Sequence, residues 1–373
     1  MPKALIACFE NWDTLQEIPF VVHTGGYTVD VYCSKHSWLL AGSYYHKWIE
    51  SNNENRQHYI SELIRLSHNY DWVIPGDETV LLMLNASITD TADFLRVMPM
   101  VQPGNRALIG SKSGLSDFCK NHQILSPIYH VYGETPDWEE AIRGMHYPVL
   151  IKPDEGYGGG GIIKCADAKA VFDALDTIAH KHHLVVQEFI TGKDIGIEAF
   201  FKNGELIVYN AADIVRYFDT SFSFTTARYY YKDYEIENFL RDIGRKIGIH
   251  GFASIQLIQD NATNAFLMIE ADLRPNFWVP YGRFANADFA EAIKIFSGSR
   301  TTPMDLTPGK RVKVALFYRD LIRAFNKKDV KTFAKWLFNY KGFWRFIPTY
   351  DKKLFKRLLK ELFVKKVLKR LSV

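Results

Sequence analysis

Five glycines fall within the six positions 156–161 of this chain, in "PVLIKPDEGYGGGGIIKC" (148–165), between two short apolar runs and just after a lysine. Ordering a glycine costs more backbone entropy than ordering any other residue, so such a run is kept where the chain must turn sharply or approach another group closely. Two phosphate-binding patterns can be tested against it. Gly156, Gly158 and Gly161 satisfy GxGxxG, but that dinucleotide fingerprint opens a helix, and the residues that follow here, "IIKC", are strand-like. A Walker A loop needs Lys and Ser or Thr directly after its last glycine, where this chain has Ile162 and Ile163. What remains is a strand, a glycine-rich turn and a returning strand. That is either a plain hairpin tip or a flap whose backbone N–H groups reach phosphate oxygens. Lys152, at the end of the first strand, favours the flap, because an ammonium in apolar surroundings requires an anionic partner.

The flanking pattern is that of an α/β chain. "KALIACFE" and "TVDVYCS" read as buried strands on either side of residues 12–26, and "YDWVIPGDE" reads as another after a helical stretch near 59–67. Strands alternating with helices predict a parallel sheet with crossover helices. Gly76, Asp77 and Glu78 then sit at a strand end, where such sheets bind ligands, although Asp77 is equally suited to cap a helix. Ser111 or Ser113 caps a predicted helix reaching about Asn121, and Pro127 prevents its continuation. A helix from 168 to about 180, the strand "HLVVQEFI", a hairpin turned by Asn203 and Gly204, the helix "YEIENFLRDIGRKIGI" and the strands "FASIQLIQD" and "AFLMIEADLRPN" complete the pattern. Between hairpin and helix, "DIVRYFDTSFSFTTARYYYKD" (213–233) reads as an aromatic, hydroxyl-rich loop. Its Arg216 and Arg228 are candidates to clamp a substrate carboxylate through a two-pronged hydrogen bond, and each is equally readable as a surface arginine. His23 and His250 read as structural.

With 373 residues, 47% apolar and 24% charged, the chain is an ordinary globular mixture long enough for two or three compact units. The N-terminus shows no basic, then apolar, leader pattern, and no stretch approaches the roughly 18 apolar residues of a spanning helix. Cys8, Cys33, Cys119 and Cys165 are widely spaced with no CxxC pair, so neither zinc nor a disulfide framework is expected and a cytoplasmic setting is. The overall charge of +4 conceals an asymmetry: residues 301–373 carry net +15 and residues 1–300 net −11. Within "KKLFKRLLKELFVKKVLKRL" (352–371), Leu354, Phe355, Leu358, Leu359, Leu362, Phe363, Val367 and Leu371 follow helical spacing with lysines and arginines opposite. Such a helix suits an anionic membrane surface on the inner leaflet. The alternative is that its apolar face packs on the body or on a second copy. Nucleic acid is not expected, since no reading helix or RNA-binding signature accompanies the charge.

Taken in order, these segments resemble the ATP-grasp superfamily, especially its carboxylate–amine ligase and carbamoyl-phosphate-synthetase-like branch, over roughly residues 1–295. The resemblance implies an α/β protein with an N-terminal parallel-sheet domain (1–105), a two-lobed ATP-grasp domain (106–300, lobes about 106–188 and 189–300) and a basic helical C-terminal region (301–373). "SKSGLSDFCKNHQILSP" is similar to the entry helix whose lysine, here Lys112, contacts ATP phosphates. "YPVLIKPDEGYGGGGI" is similar to the strand and flap that supply the second phosphate lysine, Lys152, and the glycines Gly156, Gly158, Gly159 and Gly160. In "VVQEFITGKD" the resemblance implies that Gln187, Glu188 and Ile190 line the adenine slot and Asp194 binds the ribose. In "IQLI" and "MIEADLRPN" it implies Gln256, Glu270 and Asp272 as ligands of Mg2+ or Mn2+, with Arg274, beside Lys152, stabilising the transferred phosphate.

Elementary geometry agrees with part of this. Glu270 and Asp272 are two apart on a strand and share a face, and magnesium takes oxygen ligands while leaving room for phosphates and water. The chain departs from the family pattern in having Gln256 as first ligand and Asp272 as third, where an acid and an asparagine are usual; the formal charge stays −2. The implied activity is ATP-dependent ligation, in which a small-molecule carboxylate becomes an acyl phosphate that an amine opens. A non-ligating regulatory or scaffold module and an ATP-grasp kinase are the alternatives, and an assembly of identical copies is compatible with each.

Overall fold

Short apolar runs separated by helices build the first sheet. In the computed structural model, which describes residues 1–156, 160–178, 183–220 and 223–371, the last nine of these as backbone only, β1 (Lys3–Cys8), β2 (Thr28–Cys33), β3 (Lys47–Glu50) and β4 (Trp72–Pro75) lie in the order β3-β2-β1-β4. Every neighbouring pair is parallel, as the alternation predicts. The crossovers hold α1 (Ile18–Thr24) and α2 (Arg56–Ser67), and α3 (Glu78–Ser87) and α4 (Thr91–Val97) follow. β1, β2 and β4 are near-continuous apolar runs because both faces of a parallel sheet are covered. Asp77 is a cap: its Oδ1 accepts from Val80 N–H at 2.9 Å, while Oδ2 accepts from Phe9 N–H at 2.7 Å and Glu10 N–H at 3.0 Å.

α5 (Lys112–Asn121) starts at Ser111, whose Oγ accepts from Gly114 N–H at 2.9 Å. After it come β5 (Tyr129–Val131), α6 (Trp138–Arg143), β6 (Val149–Pro153), β7 (Ile163–Cys165), α7 (Ala168–Thr177) and β8 (Leu184–Glu188), whose strands form an antiparallel sheet in the order β5-β8-β6-β7. Ile142, Val149, Ile151, Val171, Leu175 and Val186 fill the core beneath it. β6 and β7 are antiparallel with Ile151 opposite Ile163, so the two strands flanking the glycine run pair as a hairpin, as expected. Gly156 and Gly161 adopt φ of +119° and +75°, where a side chain would be strained.

The third sheet has six strands, β9 (Gly192–Lys202), β10 (Glu205–Tyr217), β11 (Thr225–Tyr231), β12 (Gly251–Asp260), β13 (Phe266–Asp272) and β14 (Val312–Ala315), in the order β13-β12-β9-β10-β11-β14. The turn from β9 to β10 is Asn203-Gly204, both at positive φ. α8 (Tyr234–Ile247) precedes β12, and α9 (Phe289–Phe296), α10 (Phe317–Asn326), α11 (Val330–Leu337) and α12 (Lys352–Leu371) complete the chain. The stretch 213–233 is mostly strand rather than the expected loop, because its alternating side chains let β11 pair with β10 on one side and β14 on the other.

The chain divides into two compact units. One is Met1–Pro103 with Glu198–Ala253 and Leu273–Val373; the other is Gly104–Ile197 with Ser254–Asp272. This differs from three consecutive domains. The C-terminal residues join the first unit, since Val314, Phe317, Trp336, Phe346, Leu354 and Leu358 share one core with Ala212, Tyr230, Trp278 and Tyr281. The apolar face expected to meet a membrane is therefore partly covered by the protein: Phe355, Leu359 and Leu362 also pack against this core. The side chains of Phe363, Val367 and Leu371 lie outside the described residues. Among the described residues no helix is long and apolar enough to cross a membrane.

Candidate functional site

Within the unit formed by Gly104–Ile197 and Ser254–Asp272, the base of the glycine hairpin is fastened to the start of α5. Asp154 accepts from Ser113 N–H at 2.7 Å and from Ser111 Oγ–H at 2.8 Å, while its carbonyl accepts from Lys112 N–H at 3.2 Å. The Lys112 ammonium donates to the carbonyls of Asp154 at 2.9 Å and Gly156 at 3.1 Å. Sequence reading overlooked Asp154; the available signal was an acid placed between a buried strand and a glycine run.

Lys152 leaves β6 toward the same place and donates from Nζ to Gln187 Oε1 at 2.7 Å. Burial and then the nearby positive charge of Lys112 push its pKa down to about 8, against the attraction of Glu270. Two cations and one anion from α5, β6 and β13 thus act on one another within this unit. The Gln187 amide is committed to Lys152, and Glu188 Oε1 accepts from His146 N–H at 2.9 Å. Ile190 and Asp194 are half-buried on the passage from β8 into β9, and Gly160 is exposed. Gly158 and Gly159 lie outside the described residues.

The acidic strand pair is in the expected register. Gln256 faces Glu270 and Ser254 faces Asp272 across β12 and β13. The pairing then slips from Gln256–Glu270 to Leu257–Met268, leaving Ile269 over as a bulge. The bulge resets the alternation, so Met268 is buried while Glu270 is exposed and Asp272 half-buried. Met268 N–H donates to the Leu125 carbonyl at 2.8 Å, which ties β13 to the segment after α5. Among the described residues no three His, Cys, Asp or Glu side chains gather to hold a metal by themselves. Two carboxylates and an amide oxygen on adjacent strands nevertheless fit a hard cation that completes its shell with phosphate and water.

The arginines belong to the other unit. The Arg274 guanidinium is buried, 3.7 Å from Glu78 and above the Trp12 ring at 5.9 Å. Arg216 commits its fork to the fully buried Asp320, with Nε and Nη2 donating at 2.9 and 2.7 Å. Arg228 donates to Glu198 at 2.7 Å and to Thr225 Oγ1 at 2.9 Å, with its guanidinium 4.5 Å from the Trp278 ring. Neither stands in the loop expected from sequence; both are strand residues held by carboxylates of the chain, which is a structural arrangement rather than a fork presented to substrate.

A family model of the ATP-grasp domain matches residues 109–275. Over these residues the chain is similar to an ATP-grasp domain. Lys112, Lys152, the glycine hairpin, Gln187, Glu188, Asp194, Gln256, Glu270, Asp272 and Arg274 all lie within that match. Among curated proteins the domain is similar to a carbamoyl-phosphate synthase of Methanobrevibacter smithii, 28% identical over 152 residues, which cover 39% of each chain. It is also similar to the chloroplastic phosphoribosylamine–glycine ligase of Arabidopsis thaliana, 25% identical over 39% of this chain and 28% of the ligase. The chain thus spans about two fifths or less of these relatives. Among solved structures, the ADP complex of N5-carboxyaminoimidazole synthetase from Staphylococcus aureus aligns with a TM-score of 0.64 at 15% identity, over 88% of this chain and 86% of that one. The last likeness extends the shared fold well beyond residues 109–275, to most of the chain.

Proposed function

We propose that this protein uses ATP with Mg2+ (or Mn2+) to activate a small-molecule carboxylate as an acyl phosphate and joins it to an amine. The observation that carries the reading is the Lys152 ammonium, desolvated and repelled by Lys112 at the base of the glycine hairpin. A polyphosphate placed there removes both penalties. Lys112 and Lys152 hold the phosphates, together with the flap glycines Gly156, Gly158, Gly159 and Gly160. Gln187, Glu188 and Ile190 border the adenine, and Asp194 takes the ribose hydroxyls. Gln256, Glu270 and Asp272 would hold the cation, which would supply charge neutralisation to the phosphates.

A carboxylate oxygen bonds to the γ-phosphorus as the bond to the β,γ-bridging oxygen breaks, giving ADP and an acyl phosphate. By the family resemblance, Arg274 is the residue that would offset charge on the transferred group. The amine nitrogen then bonds to the acyl carbon, phosphate leaves with the bonding pair, and the nitrogen loses a proton. Supporting this reading, the curated relatives are named for carbamoyl-phosphate synthesis and phosphoribosylamine–glycine ligation. A cytoplasmic setting, with ATP and four unpaired buried cysteines, accords with it.

The test is ADP and phosphate release by the full chain across a panel of carboxylates and amines. Release that requires both substrates, yields an amide by mass, and is lost in Glu270→Gln supports the ligase. A stable phosphorylated product marks a kinase, and tight ATP binding with no turnover across the panel marks a regulatory module. Wild-type turnover in Glu270→Gln removes the metal assignment.

A further inference from the structure

The C-terminal segment presents a surface that the nucleotide chemistry does not use. α11 and the turn after it bury Thr332, Trp336, Phe343 and Phe346, yet leave Val330, Phe333, Leu337, Phe338, Tyr340 and Trp344 exposed, with Phe338 76% and Trp344 51% accessible. Scattered exposed apolar residues are ordinary, but several large ones on one short segment mark an interaction site. The turn is built to hold them there. Asn339, Lys341 and Gly342 adopt left-handed backbone, Asn339 Oδ1 accepts from Trp344 N–H at 2.8 Å, and the Trp344 indole N–H donates to the Trp336 carbonyl at 2.7 Å.

Lys331, Lys335, Lys341 and Arg345 alternate with these residues along the same segment. The one acid between residues 325 and 345 is Asp329, which caps α11 through Thr332 and is bridged by Arg323 at 2.8 Å. Positive charge here is dense enough that Arg216, Lys335 and Lys341 add to burial in lowering the pKa of the neighbouring Lys313. A second copy of the same surface would set like charge against like. Aliphatic Val330 and Leu337 offer nothing to stacked bases, whereas aromatic and aliphatic groups interspersed with lysine and arginine match the boundary of an anionic bilayer.

We propose that the turn formed by residues 330–345 docks this protein on an anionic lipid surface. Phe338, Tyr340 and Trp344 enter the headgroup region while Lys331, Lys335, Lys341 and Arg345 meet lipid phosphates. The docking element is thus the turn before α12, since the apolar residues of α12 up to Leu362 are engaged by the core.

The full-length protein is to be sedimented with vesicles of phosphatidylcholine alone and of phosphatidylcholine with phosphatidylglycerol. Binding to the second only, weakened by added salt, is expected. Phe338→Ser with Trp344→Ser, and separately Lys331→Glu with Lys341→Glu, should each weaken it about tenfold or more. The second variant leaves every buried side chain in place, so it reports on docking even if the first folds poorly. Wild-type protein that stays in solution with phosphatidylglycerol vesicles overturns the proposal, as does binding that the charge-reversed variant retains.

Discussion

At Lys152 the cost to stability and the proposed function can be told apart. Its ordinary pKa of 10.5 falls to about 8, a difference on the order of 3 kcal/mol that the nucleotide-free protein bears at neutral pH. We expect Lys152→Met to lower ATP turnover by about 100-fold or more while leaving the melting temperature of the free protein unchanged or higher. A clear fall in melting temperature would instead make Lys152 structural. The sign with pH follows from the same shift. Between about 8 and 10.5 the unfolded chain binds more protons than the folded one, so the contribution of this group to stability rises with pH across that window. In the proposed function the Lys152 ammonium meets the phosphates, and on that reading ATP affinity should fall as pH climbs past about 8. Thermal melts and ATP titrations at pH 7 and pH 9 separate the two trends.

Among elements, Asp320 is the joint of the C-terminal part. Its two oxygens accept from Arg216 on β10, Thr226 on β11 and Trp336 on α11, so one carboxylate on α10 fixes three other elements. Removing it strands a largely buried guanidinium, and Asp320→Ala is expected to cost about 3–5 kcal/mol in urea unfolding. Replacing Arg216 and Asp320 together with apolar residues should recover much of that loss. An Asp320→Ala protein as stable as wild type would show the joint to be dispensable. Local patterns revealed α5, α8 and the Asn203-Gly204 hairpin because their caps and turns lie within a few residues. β14 and the partners of Arg216 could not be read this way, since they lie about a hundred residues away along the chain.

For the whole molecule, the basic C-terminal region is a structural part of the first unit. Ten of the sixteen buried members of the core around Trp278 and Tyr281 among the described residues come from Val314 onward, and β14 covers the edge of β11. A chain ended at Thr301 would expose that core and a bare strand edge, and we expect it to be recovered as aggregate, measured by soluble yield and circular dichroism. Soluble, cooperatively folded protein from that truncation would mean that the region is an accessory. Charge alone could not anticipate this, because net charge reports on partners and solubility and not on which apolar face is covered.

By itself the sequence determined the hairpin that needs its glycines, the parallel first sheet, the lysine and acidic positions on their strands, and the family resemblance built on them. Each depends on spacing along the chain, where periodicity and turn chemistry act within a few residues. Tertiary structure alone decided that Asp154 fastens the hairpin, that Arg216 and Arg228 are engaged by carboxylates, and that the start of the last helix faces its own protein. Those outcomes rest on partners brought together by folding from distant parts of the chain, and no local pattern encodes which side chain a charge or an apolar face will meet.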